Sequence, residues 1–368
     1  MYFRYCILIV FSVLCLTACR TDEVIYPSEV ESVAVTDDGS AMGLYLLNEG
    51  NMGSNKATID YLSFGDGTYT RNLYGERNPQ VVKELGDVGN DLQIYGNRLY
   101  AVINCSHKVE VMDLHSCKRI GQVDIPNCRY IQFYEDKAYV SAYVGPVGID
   151  PNAQQGAVYE VDTATLRIDR KVTVGYQPEQ LVVTKDYIYV ANSGGYRAPD
   201  YDSTVSVINR LSMKQVRKLP VAINLSQLHQ DRYGQLWVVS RGDNGREPAK
   251  LFVLKDEQVI DTLDIQCRNI CMAGDSLYYF GMALSGEKTY GIINVRTHEV
   301  LPMEWITDGT ELQVPYGLLV NPINKDVYVT DAKNYVSSGL LLCFSAKGEL
   351  RWKVRTGDIP ACMCLVAR

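Results

Sequence analysis

"YIYVAN" (187–192) and "TVSVI" (204–208) are two β-rich runs separated by Gly, Tyr, Arg, Pro and Asp, in a gap well beyond the two to five residues of a hairpin loop. The first run decides the fold, because its apolar–aromatic–apolar pattern recurs along the chain. It returns as "GLYLLN" (Tyr45), "RLYAVIN" (Tyr100), "KAYVSA" (Tyr139), "QLWVVS" (Trp237), "SLYYFG" (Tyr278) and "DVYVTD" (Tyr328). With Tyr189 there are seven copies, spaced by roughly 40 to 55 residues, a period typical of arrays of one repeated unit. After each copy come a loop and an alternating strand, such as "KVEVMD" (108–113) or "AVYEVD" (157–162). A short turn leads to another strand such as "RKVTVG" (170–175), and then to an apolar run such as "PEQLVVTK" (178–185) or "PYGLLVNP" (315–322). Four strands in each of seven units predict an all-β chain folded as a seven-bladed β-propeller. A single blade is half-buried and cannot stand alone, so the blades must pack face to face.

The ring closes in this reading with the C-terminal strand. "PACMCLVA" (360–367) matches the last, innermost run of each unit, yet no such run precedes "GLYLLN", so the chain's end completes the first blade. With the aromatic pattern on the second strand from the axis, the connections between second and third strands all emerge on one face. The long ones are "NEGNMGSNKA" (48–57), "AYVGPVGIDPNAQQG" (142–156), "NSGGYRAPDYDS" (192–203), "SRGDNGREPAK" (240–250), "GMALSGEKT" (281–289) and "DAKNYVSSG" (331–339). Long loops on a rigid ring are where binding residues concentrate, so the extra residues at 192–203 read as recognition surface.

The N-terminus carries one cation, Arg4, an apolar run to Leu16, and small residues before Cys19, the pattern of a secretory signal. "LTAC" (16–19) resembles the bacterial lipobox, which implies lipidation of Cys19, and "RTDE" (20–23) is similar to surface-export signals of Bacteroidetes lipoproteins. The expected organisation is a signal peptide at 1–18, a lipidated tether at 19–42 with "SVAV" (32–35) as a possible edge strand, and the propeller at 43–368. A chain of net charge −7 without a long basic run is a poor match for nucleic acid. Tyr is abundant, 26 against 7 Phe, which suits half-buried strands and wet binding surfaces alike. Eight cysteines follow Cys19, several inside apolar strands, and are expected to be mostly free thiols, with one or two disulfides or a metal as the alternatives.

"NEGNMGSNKATIDYL" (48–62), "LGDVGNDLQIYGNRLYAVINCSHKVEVMD" (85–113) and "PNCRYIQF" (126–133) resemble the YncE-like propeller lipoproteins of gut Bacteroidetes. The resemblance spans most of the chain. It implies a protein anchored by lipid to the outer membrane and facing the cell exterior. It also implies capture of cobalamin or a related corrinoid, bound as ligand and not as cofactor, for transfer to a TonB-dependent outer-membrane transporter. A corrinoid is large, flat and edged with amides, so it calls for aromatic contacts and amide partners. The long-loop face offers Tyr143, Tyr176, Tyr196, Tyr201, Tyr316 and Tyr335, with Asn51, Arg129, Arg197, Arg241 and Arg268.

Catalytic and metal signatures are not recognisable. His107, His115 and His298 fall in loops or turns and His229 in an inner strand, too scattered for a metal cluster; no nucleophile elbow, P-loop or HExxH occurs. The rim acids Glu49, Asp150, Asp200, Asp202, Asp243 and Asp331 read as solvated loop residues. Two other readings remain open: a surface module for glycan or protein, and a metal-dependent lactonase-like hydrolase.

Overall fold

The structure is a computed structural model describing residues 29–368 except 36, 82–84, 244 and 284. The expected signal peptide, the expected lipidation site Cys19 and the first part of the expected tether lie outside the described residues. No helix among those described is long and apolar enough to cross a membrane.

Seven antiparallel sheets form the blades of the propeller. From the axis outward, blade 1 is built of Pro360–Val366, Gly43–Asn48, Thr58–Ser63 and Thr68–Thr70. The inner strands of blades 2 to 7 are Gly89–Tyr95, Cys128–Tyr134, Pro178–Val183, Leu225–Gln230, Asn269–Ala273 and Pro315–Val320. They touch one another in cyclic order, and the blade 7 strand meets Pro360–Val366, which in turn meets the blade 2 strand. The C-terminal strand therefore closes the ring, pairing with the N-terminal Gly43–Asn48 from Val366 opposite Gly43 to Pro360 opposite Asn48.

The recurring aromatic has a physical reason. The apolar core among the described residues falls into seven clusters, and each holds one of the seven aromatics: Tyr45, Tyr100, Tyr139, Tyr189, Trp237, Tyr278 and Tyr328. Every cluster spans two neighbouring blades; Tyr45 of blade 1, for example, packs with Leu92, Leu99 and Ala101 of blade 2. The aromatic is thus the wedge that joins a twisted blade to the next. Trp237 is fully buried, and its indole N–H donates to Asp231 at 2.9 Å. All eight cysteines of the ring are free thiols.

Three details differ from the sequence reading. The edge strand of the tether is Val30–Ser32, slightly before 32–35, and it pairs with Thr68–Thr70 to give blade 1 a fifth strand. Blade 6 has three strands; beyond Asn294 the chain makes one bridge, Val300 to Ile293, and turns away at Pro302, which has no N–H to continue a ladder. Trp305 then packs into the gap, donating to the Tyr279 carbonyl at 3.0 Å. The rim acids are not uniformly solvated: Asp202 and Asp331 are buried, and Asp331 accepts from the backbone of Gln313, Val314 and Lys333 at 2.7–2.8 Å.

Blade 6 also supplies a sharp packing test. Gly281 lies so close to the neighbouring chain that a Cβ there would stand 1.5 Å from the Gln266 carbonyl oxygen. Gly281→Ala is expected to lower stability by about 1–3 kcal/mol through forced backbone displacement, measured by urea unfolding. A change within a few tenths of a kcal/mol would mean that this approach is loose in solution.

Candidate functional site

The long connections between second and third strands crowd one face, as their lengths predict. Their walls are braced. In blade 4, Asn192 donates to Thr204 and Ser206 and accepts from Gly175 N–H, and buried Asp202 accepts from Tyr176 N–H at 2.8 Å. The next loop is tied in by Asp150 N–H to the Tyr196 carbonyl, 3.0 Å. Arg197 lies over the Tyr176 ring at 3.8 Å, and Tyr196 meets Tyr143 edge-on at 6.2 Å. Gly194, at φ +55°, lets Asp202 approach; a Cβ there would stand 2.2 Å from Asp202 N. The length of 192–203 is therefore a folded buttress and not a slack insertion.

Inside these loops the axis opens as a bowl of about 200 Å³. Its lining takes one or two residues from the start of each inner strand, just before the strand turns apolar, within "NDL" (90–92), "RYI" (129–131), "EQL" (179–181), "SQL" (226–228), "RNI" (268–270), "YGL" (316–318) and "ACM" (361–363). Several of these polar side chains stitch one blade to the next. Asp91 accepts the Ile131 N–H at 3.0 Å, Gln180 that of Leu228 at 3.1 Å, and Gln227 that of Ile270 at 2.7 Å. Asn269 accepts from the Gln227 amide at 3.0 Å and donates to the Tyr316 carbonyl at 2.8 Å. Amides that sequence reasoning would leave free are thus partly occupied in holding the ring.

Charge dominates the bowl. Glu179, 1% exposed, accepts from Arg129 Nε at 3.1 Å and Nη2 at 3.0 Å, from the Tyr143 hydroxyl at 2.7 Å and from Arg241 Nη1 at 3.3 Å. Burial by itself pushes this carboxyl up, but the Arg129 and Arg241 charges outweigh it and hold Glu179 below the usual range. Glu49 differs. Both of its oxygens lie 3.0 Å from the Tyr316 hydroxyl, and burial pushes it up to about 7 against the pull of that hydrogen bond and of Arg129. Arg268 also lines the bowl, and its guanidinium makes no hydrogen bond or ion pair with the described residues. Tyr335, 42% exposed, stands edge-on to Tyr316 at 5.8 Å.

Of the residues expected from sequence, Arg241, Arg268, Tyr316 and Tyr335 line the bowl, and Arg129 and Tyr143 join it through Glu179. Asn51, Tyr176, Tyr196, Arg197 and Tyr201 do not line it; they belong to the surrounding loops. Glu49, read as a solvated rim acid, is a half-buried lining residue, and Glu179, Tyr130 and Gln227 were not anticipated. Their signal is the polar pair that recurs at one register where the inner strands of blades 2 to 6 begin. His229, in the blade 5 inner strand, has a buried Nε2 with no partner among the described residues, and burial pushes its pKa down to about 4. Among the described residues, no three His, Cys, Asp or Glu stand together as a metal cluster.

Residues 42–356 match the family described as "Domain of unknown function (DUF5074)". No curated protein matches the chain by sequence. Among solved structures, the chain is similar to a candidate 6-phosphogluconolactonase of Bacteroides fragilis at 11% identity, covering 88% of this chain and 98% of that one with a TM-score of 0.59. It is similar to a second candidate 6-phosphogluconolactonase, from Bacteroides uniformis, at 12% identity, 88% and 99% coverage and 0.59. A "Quinonprotein alcohol dehydrogenase-like protein" of Bacteroides thetaiotaomicron aligns at 11% identity, 89% and 79% coverage and 0.59. At these identities the likeness is one of fold.

Proposed function

The chain belongs to the DUF5074 family, and from a ring of that family with this bowl we propose a surface lipoprotein that captures a corrinoid. In this reading Cys19 carries the lipid, the protein sits on the outer membrane among the YncE-like propellers, and it passes its ligand to a TonB-dependent transporter. One observation carries the binding role: a polar bowl edged by Tyr316, Tyr335, Arg241 and Arg268, held open by loops that bond to one another. A bowl of about 200 Å³ is too small to swallow a corrinoid, which would lie across it with an edge group dipping inside. Rigid Tyr rings and a preformed ring keep the ordering cost of such a contact small.

Calorimetric titration of the purified chain with cyanocobalamin tests this. One-to-one binding is expected, with Tyr335→Ala and Arg268→Ala each weakening it by about 10- to 100-fold, the range of a hot-spot contact. No heat and no shift in visible absorbance from a folded protein would remove the corrinoid, and glycan arrays would follow.

Hydrolysis is the second reading, and one observation favours it: Glu49, pushed up to about 7, has the ionisation of a general base working near neutrality, and it shares the bowl with Arg268. Two structural neighbours carry a candidate lactonase assignment. Turnover of a phosphorylated sugar lactone that disappears in Glu49→Gln would establish it; equal rates in the two proteins would dismiss it.

A further inference from the structure

The chain as a whole is acidic, at −7, yet its axial bowl gathers cations. Arg129 from blade 3, Arg241 after the second strand of blade 5 and Arg268 at the inner strand of blade 6 converge there with two carboxylates, Glu179 and Glu49. Glu179 is spent internally: it accepts from Nε and Nη2 of Arg129 and from one nitrogen of Arg241. That leaves the Arg268 guanidinium and the remaining donors of Arg241, opposed by Glu49 as the one carboxylate among the described lining residues. We infer that the bowl seats an anionic group of its ligand, a phosphate, phosphodiester or carboxylate, on Arg268 and Arg241, and that Glu49 takes up a proton as the anion enters. This rests on the reading of the bowl as the binding site and adds what kind of group enters it.

The chemistry is that of neighbouring charges. An anion beside Glu49 disfavours its ionised form, so by linkage the anion binds more tightly when Glu49 is protonated. The groups around Glu49 leave it free to respond. Tyr316 reaches it from the blade 7 inner strand, Tyr335 stands behind Tyr316 on the loop after Asp331, and Cys362 comes from the closing strand. Arg129 on the blade 3 inner strand is the cation that acts on it, and that cation is already committed to Glu179. Burial has moved Glu49 up to about 7, so the proton is available at neutral pH. A concave wall around an unpaired guanidinium also focuses the field that draws an anion in.

Sulfate is the probe, because its charge does not change near neutrality. The full chain in detergent is titrated with sulfate near pH 6 and near pH 8, each in two buffers of different ionisation enthalpy. The expected result is one site, about tenfold tighter at the lower pH, with net proton uptake at the higher pH and competition with cyanocobalamin. Arg268→Ala should weaken sulfate at least tenfold while Arg268→Lys keeps part of it, and Glu49→Gln should bind with no pH dependence. Arg268 is exposed and Glu49→Gln nearly isosteric, so folding is checked directly by circular dichroism. Sulfate binding without cyanocobalamin binding keeps the seat and removes the corrinoid. Cyanocobalamin binding that ignores Arg268→Ala and takes up no proton keeps the corrinoid and overturns the seat. Failure of sulfate to bind, or binding untouched by Arg268→Ala, also overturns it.

Discussion

Glu179→Ala is expected to lower folding stability by about 3–5 kcal/mol, the range seen when one partner of a buried ion pair is removed. The Arg129 side chain, 15% exposed, would lose the carboxylate it is hydrogen-bonded to, and the Tyr143 hydroxyl would lose the oxygen it donates to at 2.7 Å. Arg241 adds little, because its side chain is 41% exposed and water can replace Glu179 there. Urea denaturation measures the effect, with Glu179→Gln expected between wild type and Ala. A double replacement, Arg129→Met with Glu179→Leu, should recover much of the loss, since it removes both charges together. The pH dependence has a definite sign. Glu179 titrates lower in the folded ring than its ordinary 4.5. The stabilisation is therefore fully present above that value and is lost as pH falls through the folded-state value, so wild type should weaken in acid more steeply than Glu179→Gln. A loss below about 1 kcal/mol in Glu179→Ala would mean that the clasp is wet and the bowl's charges are not fixed.

Removing the closing strand should do still more. Truncation after Ile359 takes away the partner of Gly43–Asn48 and uncovers Leu44, Tyr45, Leu46 and Leu47, each at most 1% exposed in the ring. At about 1.5–3 kcal/mol for each large apolar side chain returned to water, these alone approach the net stability of a domain, about 5–15 kcal/mol. The expected product has no cooperative thermal transition and runs as aggregate on gel filtration. Loss of Val30–Ser32 should be mild by comparison, because that strand covers an outer edge and is itself largely exposed. A truncated chain that melts within a few degrees of the full one would show that six blades suffice without closure.

The architecture was legible because one aromatic per unit performs the same inter-blade task seven times, and a repeated task leaves a repeated residue. Closure was legible for the same reason: "PACMCLVA" had a register to fill and only one blade lacked its inner strand. Blade 6 escaped because Pro302 and Trp305 replace a strand by a plug, and a plug has no period. The bowl was legible in part. Arg241, Arg268, Tyr316 and Tyr335 were found from the face of the ring they lie on, but Glu179 was not, since it pairs with Arg129 50 residues away and Arg241 62 residues away. Ion pairs across an axis have no sequence spacing. Glu49 shows the complementary failure: its loop position suggested water, whereas Tyr316, distant in sequence, covers it.

The outer strand Val30–Ser32 also fixes how the ring hangs. Under the proposed anchoring at Cys19, the ten residue steps from Cys19 to Glu29 set the reach to the membrane, which even full extension limits to about 35 Å. The attachment point is on the perimeter of blade 1, far from the axis. Under that anchoring the disc would be held at one edge: tilting about the edge swings the open face through an arc set by the ring's own width, presenting or withdrawing the bowl by leverage without any change inside the blades.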